Sequence, residues 1–339
     1  VMRRPVPIVL LSLIALGIMA APLQNISFSQ GDSRMLPASN PAAIATAIQT
    51  ERFPGQTGTP IEIITFDGAD KVDTLNEYAN RISQVPGIVG VVPPQVIGED
   101  VRIVAYQSML PRTPESQKLI HDLRDVKAPT GTLIGGVAAD YTDSQDGISR
   151  TLPWAFGWIA ISVLLLVFVF TGSIILPIKA VLLNVLSLAA TMGVLTWVFI
   201  DGNLQWLVGS FTVTGSLDTS IVILIAVVVF GLSMDYELFL LSRIREEHLE
   251  GRSNVESVAT GLQRSARIIT AAAVLLAVVF AAFVTSGVTS IKTMGFGVAL
   301  AVLLDATLIR ALLVPALMRL MGERNWWAPK SLQRFTLKH

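Results

Sequence analysis

The amino-acid sequence predicts a membrane-embedded bundle of six α-helices that carries an extracytoplasmic α/β domain. Hydrophobic residues make up 52% of the 339-residue chain and charged residues only 15%, against about 25% charge in a typical soluble domain. The missing charge is concentrated in long runs, because residues 151–178 and 180–200 contain no charged side chain. A helix of about 20 apolar residues matches the hydrocarbon thickness of a bilayer. Membrane insertion therefore accounts for the composition.

Six apolar segments are long enough to span a bilayer as helices. They are residues 6–22, 153–176, 179–200, 219–241, 267–287 and 293–317. A polar stretch separates the first segment from the second, whereas the others follow each other closely. This spacing predicts one helix, then a folded domain, then a five-helix group.

The first apolar segment has two interpretations on composition alone. Arg3 and Arg4 precede a short apolar run, which is typical of a secretory signal peptide as well as of a membrane helix. Ile18 and Met19 stand where a cleavage site requires a small residue. Both interpretations place residues 23–152 outside the cytoplasm.

Positive charge predicts the orientation of the spans. The loop 242–266 contains four arginines and the tail 318–339 contains five arginines and lysines, whereas the loop 201–218 contains none. Cytoplasmic loops carry the excess of arginine and lysine. We therefore expect a multi-pass inner-membrane protein with both termini in the cytoplasm.

These observations predict four regions. They are a first transmembrane helix (1–22), an extracytoplasmic domain (23–152), a five-helix transmembrane bundle with the cytoplasmic loop 242–266 (153–317), and a cytoplasmic tail (318–339). Within the loop, Ser253 and Glu256 have capping-box spacing. This pattern predicts a short amphipathic helix on the membrane surface, with a plain connecting helix as an equal alternative.

The extracytoplasmic region reads as an alternation of strands and helices. Strand-like runs are Ile61–Phe66, Ile88–Val92, Val101–Tyr106 and Leu133–Val137. A helical period follows the first run, and Thr113 with Pro114 forms an N-cap and first helical position before a second helix. A further helix is expected within residues 36–53. The order β-α-β-β-α-β is the ferredoxin-like split βαβ pattern.

Several functional classes find no support in the composition. The net charge is zero, which gives no indication of a nucleic-acid partner, and cysteine is absent. The three histidines, His121, His248 and His339, have no metal-ligand spacing. No phosphate-binding glycine loop and no nucleophile–base arrangement is recognisable. We therefore expect no bound cofactor or metal and no enzymatic activity.

Ionisable side chains inside the apolar segments are the candidate functional residues. They are Asp235, Tyr236 and Glu237 in the fourth segment and Asp305 and Arg310 in the sixth. A charge at the centre of a bilayer costs about 2.5–3.5 kcal/mol on insertion scales, so such residues are retained mainly for a function or a partner. This set predicts a proton relay, with a static salt bridge between two helices as the alternative.

Helix geometry suggests how these charges pair. Asp235 and Arg310 lie roughly 12 and 13–14 Å from the cytoplasmic arginines of their own helices, at a rise of about 1.5 Å per residue. Asp305 and Arg310 are about 140° apart on an α-helix, so they are not expected to stack. We therefore expect Arg310 to reach across to Asp235. Glu237 is secondary, because its side chain can extend toward the cytoplasm.

The charged stretches also resemble a known family. Phe230–Glu247, built around Gly-Leu-Ser-Met-Asp-Tyr-Glu, closely resembles the fourth-span signature of the MMPL family, which belongs to the resistance–nodulation–division (RND) superfamily. Leu304–Gly322 and Asn325–Pro329 resemble the end of the same proteins. The resemblance extends over the whole chain.

The resemblance implies a function and a partner. Members of the family have twelve spans in two similar halves, each with one span, an outer porter domain and five spans, and they export lipids or other hydrophobic compounds with the proton gradient. Its Asp-Tyr relay pair falls on Asp235 and Tyr236, and its last-span acid and arginine on Asp305 and Arg310. The first segment is then the opening helix of a half of the RND-type fold. The chain would correspond to the C-terminal half and need the N-terminal half or a second similar half.

Two other functional classes share parts of this organisation. A subunit of the Sec protein-export motor also has one span, an outer domain and five spans, but carries different motifs. A sterol-sensing-like membrane scaffold would not transport and would be insensitive to protonophores. Lipid, siderophore, pigment and drug substrates all remain compatible with the sequence.

Overall fold

The computed structural model describes residues 1, 3–53 and 59–329. Contacts divide the chain into two compact units. The bundle unit comprises Val1–Ile26 and Trp154–His339, and the α/β unit comprises Ser27–Pro153. Residues 330–339 of the predicted cytoplasmic tail lie outside the described residues.

The chain begins with an apolar helix, α1 (Pro5–Ala20). Proline is at its first position, where the missing N–H would have no partner in a helix anyway. A 3-10 turn, Ala21–Asn25, continues the helix, so that Pro5–Asn25 is apolar and long enough to cross a membrane. This is the predicted first span.

The α/β unit contains the predicted alternation of strands and helices. Its elements are β1 (Phe28–Ser29), α2 (Pro41–Arg52), β2 (Ile61–Thr65), α3 (Val72–Ser83), β3 (Ile88–Ile97), β4 (Asp100–Gln107), α4 (Pro114–Asp125) and β5 (Thr132–Gly135). The last four strands form one sheet in the order β3-β4-β2-β5. Each neighbouring pair in this sheet is antiparallel.

Alternation along β2 positions the core of the α/β unit. Ile61 and Ile63 are fully buried, and residues two apart on a strand share one face of the sheet. This face packs against the apolar faces of α3 and α4, where Leu75, Ile82 and Leu119 are buried in the same cluster. Thr113 caps α4 as predicted, because its hydroxyl accepts a hydrogen bond from the Ser116 N–H at 3.4 Å.

The bundle unit contains the remaining elements. They are α5 (Val137–Thr171), α6 (Ile175–Leu195) with a π-helical end (Thr196–Ile200), α7 (Gln205–Val208), β6 (Leu217–Asp218), α8 (Thr219–Leu249), α9 (Asn254–Phe283), α10 (Thr289–Leu304), a π-helix (Asp305–Leu313), α11 (Val314–Met321) and a 3-10 turn (Gly322–Trp326). The first residues of α5, up to Pro153, belong to the α/β unit.

Six helices in the described part of the chain are long and apolar enough to cross a membrane. We call them the first to sixth spans: Pro5–Asn25, Val137–Thr171, Ile175–Ile200, Thr219–Leu249, Asn254–Phe283 and Thr289–Trp326. The number of spans and their order along the chain confirm the sequence prediction.

The second helix begins earlier than expected. It was predicted to start at residue 153, but α5 starts at Val137 and contains Pro153 in its interior. Hydropathy locates only the apolar part of a helix, and a polar N-terminal extension carries no apolar signal. Residues 140–152, at the end of the predicted extracytoplasmic domain, are therefore part of this helix.

The predicted loop 242–266 is mostly helical, and the helix predicted to start at Ser253 is neither short nor separate from the spans. Helix α8 continues to Leu249 and α9 begins at Asn254, so a short turn joins two long helices. The capping box at Ser253 is present, but it starts the fifth span itself. Gly261 packs closely on α8, since a Cβ there would lie 2.9 Å from the Ile244 Cα. This contact keeps the two helices together well beyond the apolar segment.

Candidate functional site

A π-helix in the sixth span brings Asp305 and Arg310 together. An Asp305 carboxylate oxygen lies 2.5 Å from an Arg310 guanidinium nitrogen, and these side chains are 8% and 3% exposed. The expectation that they would not stack is wrong. It assumed an α-helix, whereas residues Asp305–Leu313 are π-helical. Hydrogen bonds join residues five apart in a π-helix, so side chains at this spacing lie on the same face.

Ser233 of the fourth span joins this ion pair. Its hydroxyl donates a hydrogen bond of 2.9 Å to the other carboxylate oxygen of Asp305. Arg310 donates to the Ser233 carbonyl oxygen, and lies 3.3 Å from the Ser233 hydroxyl oxygen. Arg310 therefore does reach the fourth span, as expected, but its partner there is Ser233. The sequence analysis did not single out Ser233, although it lies in the family-like stretch.

Tyr236 contributes an aromatic face to the same cluster. The Arg310 guanidinium carbon lies 5.1 Å from the centre of the Tyr236 ring, within the range of a cation–π contact. Ser233 and Tyr236 are three residues apart on α8, a spacing that places both on one helix face. Four of the residues that matter here therefore form one cluster, which we call the charged cluster: Ser233, Tyr236, Asp305 and Arg310.

Asp235 lies away from the charged cluster. It is exposed on α8, whereas Ser233 is buried. Two residues correspond to about 200° around an α-helix, so Asp235 and Ser233 project to opposite sides. The expected pair of Asp235 and Arg310 is therefore wrong, because equal depth does not imply a common face.

Glu237 is buried rather than extended toward the helix end. Its side chain is 4% exposed, and its Oε1 atom has no hydrogen-bond partner among the described residues. The expectation that it would reach out of the bundle is therefore wrong. Glu237 lies four residues after Ser233 and thus on a similar face of α8. Lys179 of the third span is its leading electrostatic neighbour, and the sequence analysis did not single out this lysine.

A cavity lies beside the charged cluster, among the fourth, fifth and sixth spans. Its volume is about 10 Å³, which is room for roughly one water molecule. Its lining combines the four cluster residues with apolar side chains: Val229, Leu232, Ile269, Ala273, Ala301, Val302 and Ala306. Two guanidinium nitrogens of Arg310, Nε and Nη1, have no hydrogen-bond partner within the described part of the chain. The site thus combines a buried carboxyl group, which can gain or lose a proton, with hydroxyl groups and guanidinium N–H donors that can hydrogen-bond to it.

The six apolar helices and the charges buried among them define a multi-pass membrane protein. The chain belongs to the MMPL family, whose sequence model matches residues 34–336. This result confirms the resemblance noted in the sequence and favours this family over a Sec-type subunit.

Known relatives match almost the whole chain. A membrane protein of Streptomyces coelicolor is 37% identical over 333 residues, which are 98% of this chain and 46% of that protein. The trehalose monomycolate exporter MmpL3 of Mycobacterium tuberculosis is 34% identical over 351 residues, covering 98% of this chain and 37% of the exporter. The mycolic acid-containing lipids exporter MmpL11 of Mycolicibacterium smegmatis is 34% identical over 349 residues, with coverages of 98% and 36%. The chain thus spans less than half the length of these relatives.

Proposed function

We propose that this chain is one half of a proton-driven exporter of lipids or other hydrophobic compounds in the inner membrane. Two of the relatives are named as exporters of trehalose monomycolate and of mycolic acid-containing lipids. This chain matches 37% and 36% of their lengths. That share supports the assignment to a half, whose partner would be the other half or a second similar half.

The buried Asp305–Arg310 pair is the observation that carries the proposal. Protonation of Asp305 would remove the negative charge that pairs with Arg310 and that accepts the Ser233 hydrogen bond from the fourth span. The contacts between the fourth and sixth spans would then weaken, so that the two spans could shift relative to each other. One proton moving down a potential of 100 mV releases about 2.3 kcal/mol, enough to bias such a two-state movement.

Asp235, Tyr236 and Glu237 take separate roles in the proposed relay. Asp235 is exposed on this chain, so we assign it to the surface that faces the other half. Tyr236 lies next to it in the sequence and contacts Arg310, and its hydroxyl group can pass a proton between the two acids. Glu237 lies about one helical turn beyond Ser233 and would receive the proton from the cluster.

The α/β unit is proposed to be the extracytoplasmic porter domain. The order β3-β4-β2-β5 with α3 and α4 on one side of the sheet supports a ferredoxin-like split βαβ arrangement. The positive charges at the end of α8 and in the α8–α9 turn support a cytoplasmic location for that end of the bundle. Both termini would then be cytoplasmic.

Transport by site variants tests the proposal. In cells that contain the chain with its other half, Asp305→Asn should abolish export of the lipid and leave the amount of inserted protein unchanged. Asp235→Asn and Tyr236→Phe should do the same. Asp201→Asn, which changes an exposed acid at the end of the third span, is the matched control and should transport normally.

Two outcomes would contradict the proposal. Normal export by Asp305→Asn would exclude the buried pair from the relay. Export that persists when a protonophore removes the proton gradient would exclude proton coupling altogether. A chain that exports nothing with its other half present would instead support the membrane-scaffold alternative.

A further inference from the structure

Lys179 and Glu237 are two buried charged residues that the charged cluster leaves unused. Lys179 lies on the third span and is 7% exposed, and Glu237 lies on the fourth and is 4% exposed. The Lys179 Nζ and the Glu237 Oε1 both have no hydrogen-bond partner among the described residues. Buried polar groups normally have a partner, so two unpartnered ones on neighbouring spans require an explanation.

A permanent salt bridge does not explain the two residues. The Lys179 nitrogen lies more than 4.0 Å from both carboxylate oxygens of Glu237, which is too far for a salt bridge. Two buried ions stabilise a protein only when they are in close contact and hydrogen-bonded. An unpaired carboxyl in an apolar environment is held at lower cost in its neutral, proton-carrying form. The observed arrangement therefore fits a neutral Glu237 carboxylic acid and a Lys179 ammonium group that is not bound to it.

The electrostatic surroundings of Glu237 come from two spans. Glu237 interacts electrostatically with Lys179 of the third span and with Arg310 and Asp305 of the sixth. The fifth span also packs on α8, but none of its described residues has such an electrostatic interaction with Glu237. For Lys179, in turn, the acid with an electrostatic interaction is Glu237. The third and fourth spans touch close by, where the Asn184 Nδ2 donates to the Met234 Sδ at 3.0 Å. Lys179 and Glu237 both lie about one turn from this contact, toward the same end of the bundle.

The position of this pair relates it to the charged cluster. Glu237 lies four residues after Ser233 on α8, which is about one helical turn or 6 Å. Lys179 lies near the start of α6, four residues after Ile175. It also lines an apolar groove of about 360 Å³ with leucines of the first, third and sixth spans. That groove gives the flexible lysine side chain space to move.

We propose that Lys179 and Glu237 form a second proton-carrying site, between the charged cluster and the cytoplasmic end of the bundle. Glu237 holds the proton, and Lys179 is the positioning residue that pairs with the carboxylate after the proton has left. The Glu237 O–H bond breaks, the proton passes to water, and the ammonium group stays protonated throughout. The transport role of this pair rests on the proposed function, but the pairing of the two residues does not.

A double-substitution cycle on the purified full-length chain tests the pairing. Thermal unfolding is followed through tryptophan fluorescence at a pH where Glu237 is ionised. Lys179→Met should lower the Tm of the native chain, because it leaves the carboxylate buried without a counter-charge. In the Glu237→Gln background the same substitution should leave the Tm unchanged or raise it, because no buried charge of the pair remains.

Lys292 provides the matched control. It is a second buried lysine, but its Nζ donates to the carbonyl oxygens of Val208 and Ser210 at 2.9 and 3.3 Å. Lys292→Met should therefore lower the Tm equally with Glu237 and with Gln at position 237. Equal shifts for Lys179→Met in the two backgrounds would overturn the pairing. If Lys179→Met does not fold, the yield of folded protein replaces the Tm, and failure of Glu237→Gln to restore that yield overturns the proposal.

The transport role has its own readout. With the other half present, Lys179→Met should shift the pH profile of export toward more alkaline cytoplasmic pH, whereas Lys179→Arg, which keeps the charge, should preserve the native profile. An unchanged pH profile in Lys179→Met would mean that the pair affects stability but has no role in transport. Normal export by Asp305→Asn would overturn the proposed function instead, and leaves the result of the unfolding cycle standing.

Discussion

At the residue scale, the Ser233 hydroxyl connects the fourth and sixth spans. It donates to Asp305, and the carbonyl oxygen of the same residue accepts from Arg310. A buried carboxylate depends on such donors, because each unmet hydrogen bond in an apolar environment is costly. A residue that looks like a small packing residue in the sequence is thus part of the polar site.

Removing this hydroxyl gives the first prediction. Ser233→Ala should lower the free energy of unfolding by about 1–3 kcal/mol, because Asp305 loses one of its hydrogen-bond donors. Export with the other half present should fall as well. Thermal unfolding of the purified chain and lipid export in cells measure the two effects.

Ser242→Ala is the control for this substitution. Ser242 lies on the same helix, but its hydroxyl donates to the Phe239 carbonyl oxygen of its own helix, at 2.8 Å. It should therefore unfold and export almost as the native protein does. Equal losses for the two alanine substitutions would mean that Ser233 acts only through helix stability.

In the α/β unit, an ion pair links strands β2 and β4. Arg102 donates two hydrogen bonds of 2.7 Å to the Glu62 carboxylate, and these bonds lower the pKa of Glu62 from its usual value of 4.5. A lowered folded-state pKa adds stability above the unfolded value, and this stability is lost as the pH falls through the folded one. Both side chains are partly exposed, so solvent screening keeps the contribution of the pair to stability small.

Glu62→Gln should therefore reduce the stability of the α/β unit near neutral pH and have no effect in strong acid. Hydrogen exchange of the β2 and β4 amides, measured in the native and substituted chains across a pH series, tests this expectation. A difference between the two chains that stays constant below pH 4.5 would mean that the ion pair is not its cause.

At the scale of elements, the π-helix decides which charges pair. The sequence identified Asp305 and Arg310 individually, since ionisable residues in an apolar segment stand out in any composition. Their contact could not be predicted, because the spacing of five residues separates side chains on an α-helix and aligns them on a π-helix. The exposed position of Asp235 was missed for a related reason. Depth can be counted along a chain, but the face depends on which helices become neighbours.

The α8–α9 hairpin provides a prediction at this scale. Gly261 lies against Ile244, and an added Cβ would be 2.7 Å from its Cγ1 and 2.9 Å from its backbone nitrogen. Gly261→Ala should therefore destabilise the bundle, because forced overpacking costs about 1–3 kcal/mol, more than the gain of up to about 1 kcal/mol in helix propensity. Thermal unfolding of the purified chain measures the change.

Gly157→Ala is the matched control for the hairpin. Gly157 also lies within a spanning helix, but a Cβ there would meet nothing within 4 Å. This substitution should leave the protein unchanged or stabilise it by up to about 1 kcal/mol. Destabilisation by both substitutions would show that close approach at Gly261 is not the cause.

At the scale of the whole molecule, hydropathy predicted the six spans because the bilayer requires length and apolar character and little else. It could not predict where helices end beyond the apolar region, as the early start of α5 and the long α8–α9 hairpin demonstrate. It also missed Lys179, because this lysine stands at the boundary between two uncharged runs and was taken as the edge of a span. Packing then places the lysine among leucines, where its charge becomes significant.

The orientation of the chain is the last prediction, and the composition makes it easy to test. The chain contains no cysteine, so one introduced cysteine gives an unambiguous labelling signal. Glu77 on α3 and Glu250 in the α8–α9 turn are both exposed. In intact cells with a permeable outer envelope, a membrane-impermeant maleimide should label Glu77→Cys, because the positive charges near the turn place the α/β unit outside. Glu250→Cys should react only after the inner membrane is opened. The reverse labelling pattern would mean that the bundle has the opposite orientation in the membrane. The Lys179–Glu237 pair would then lie on the outer side, at the entry rather than the exit of the proposed proton path.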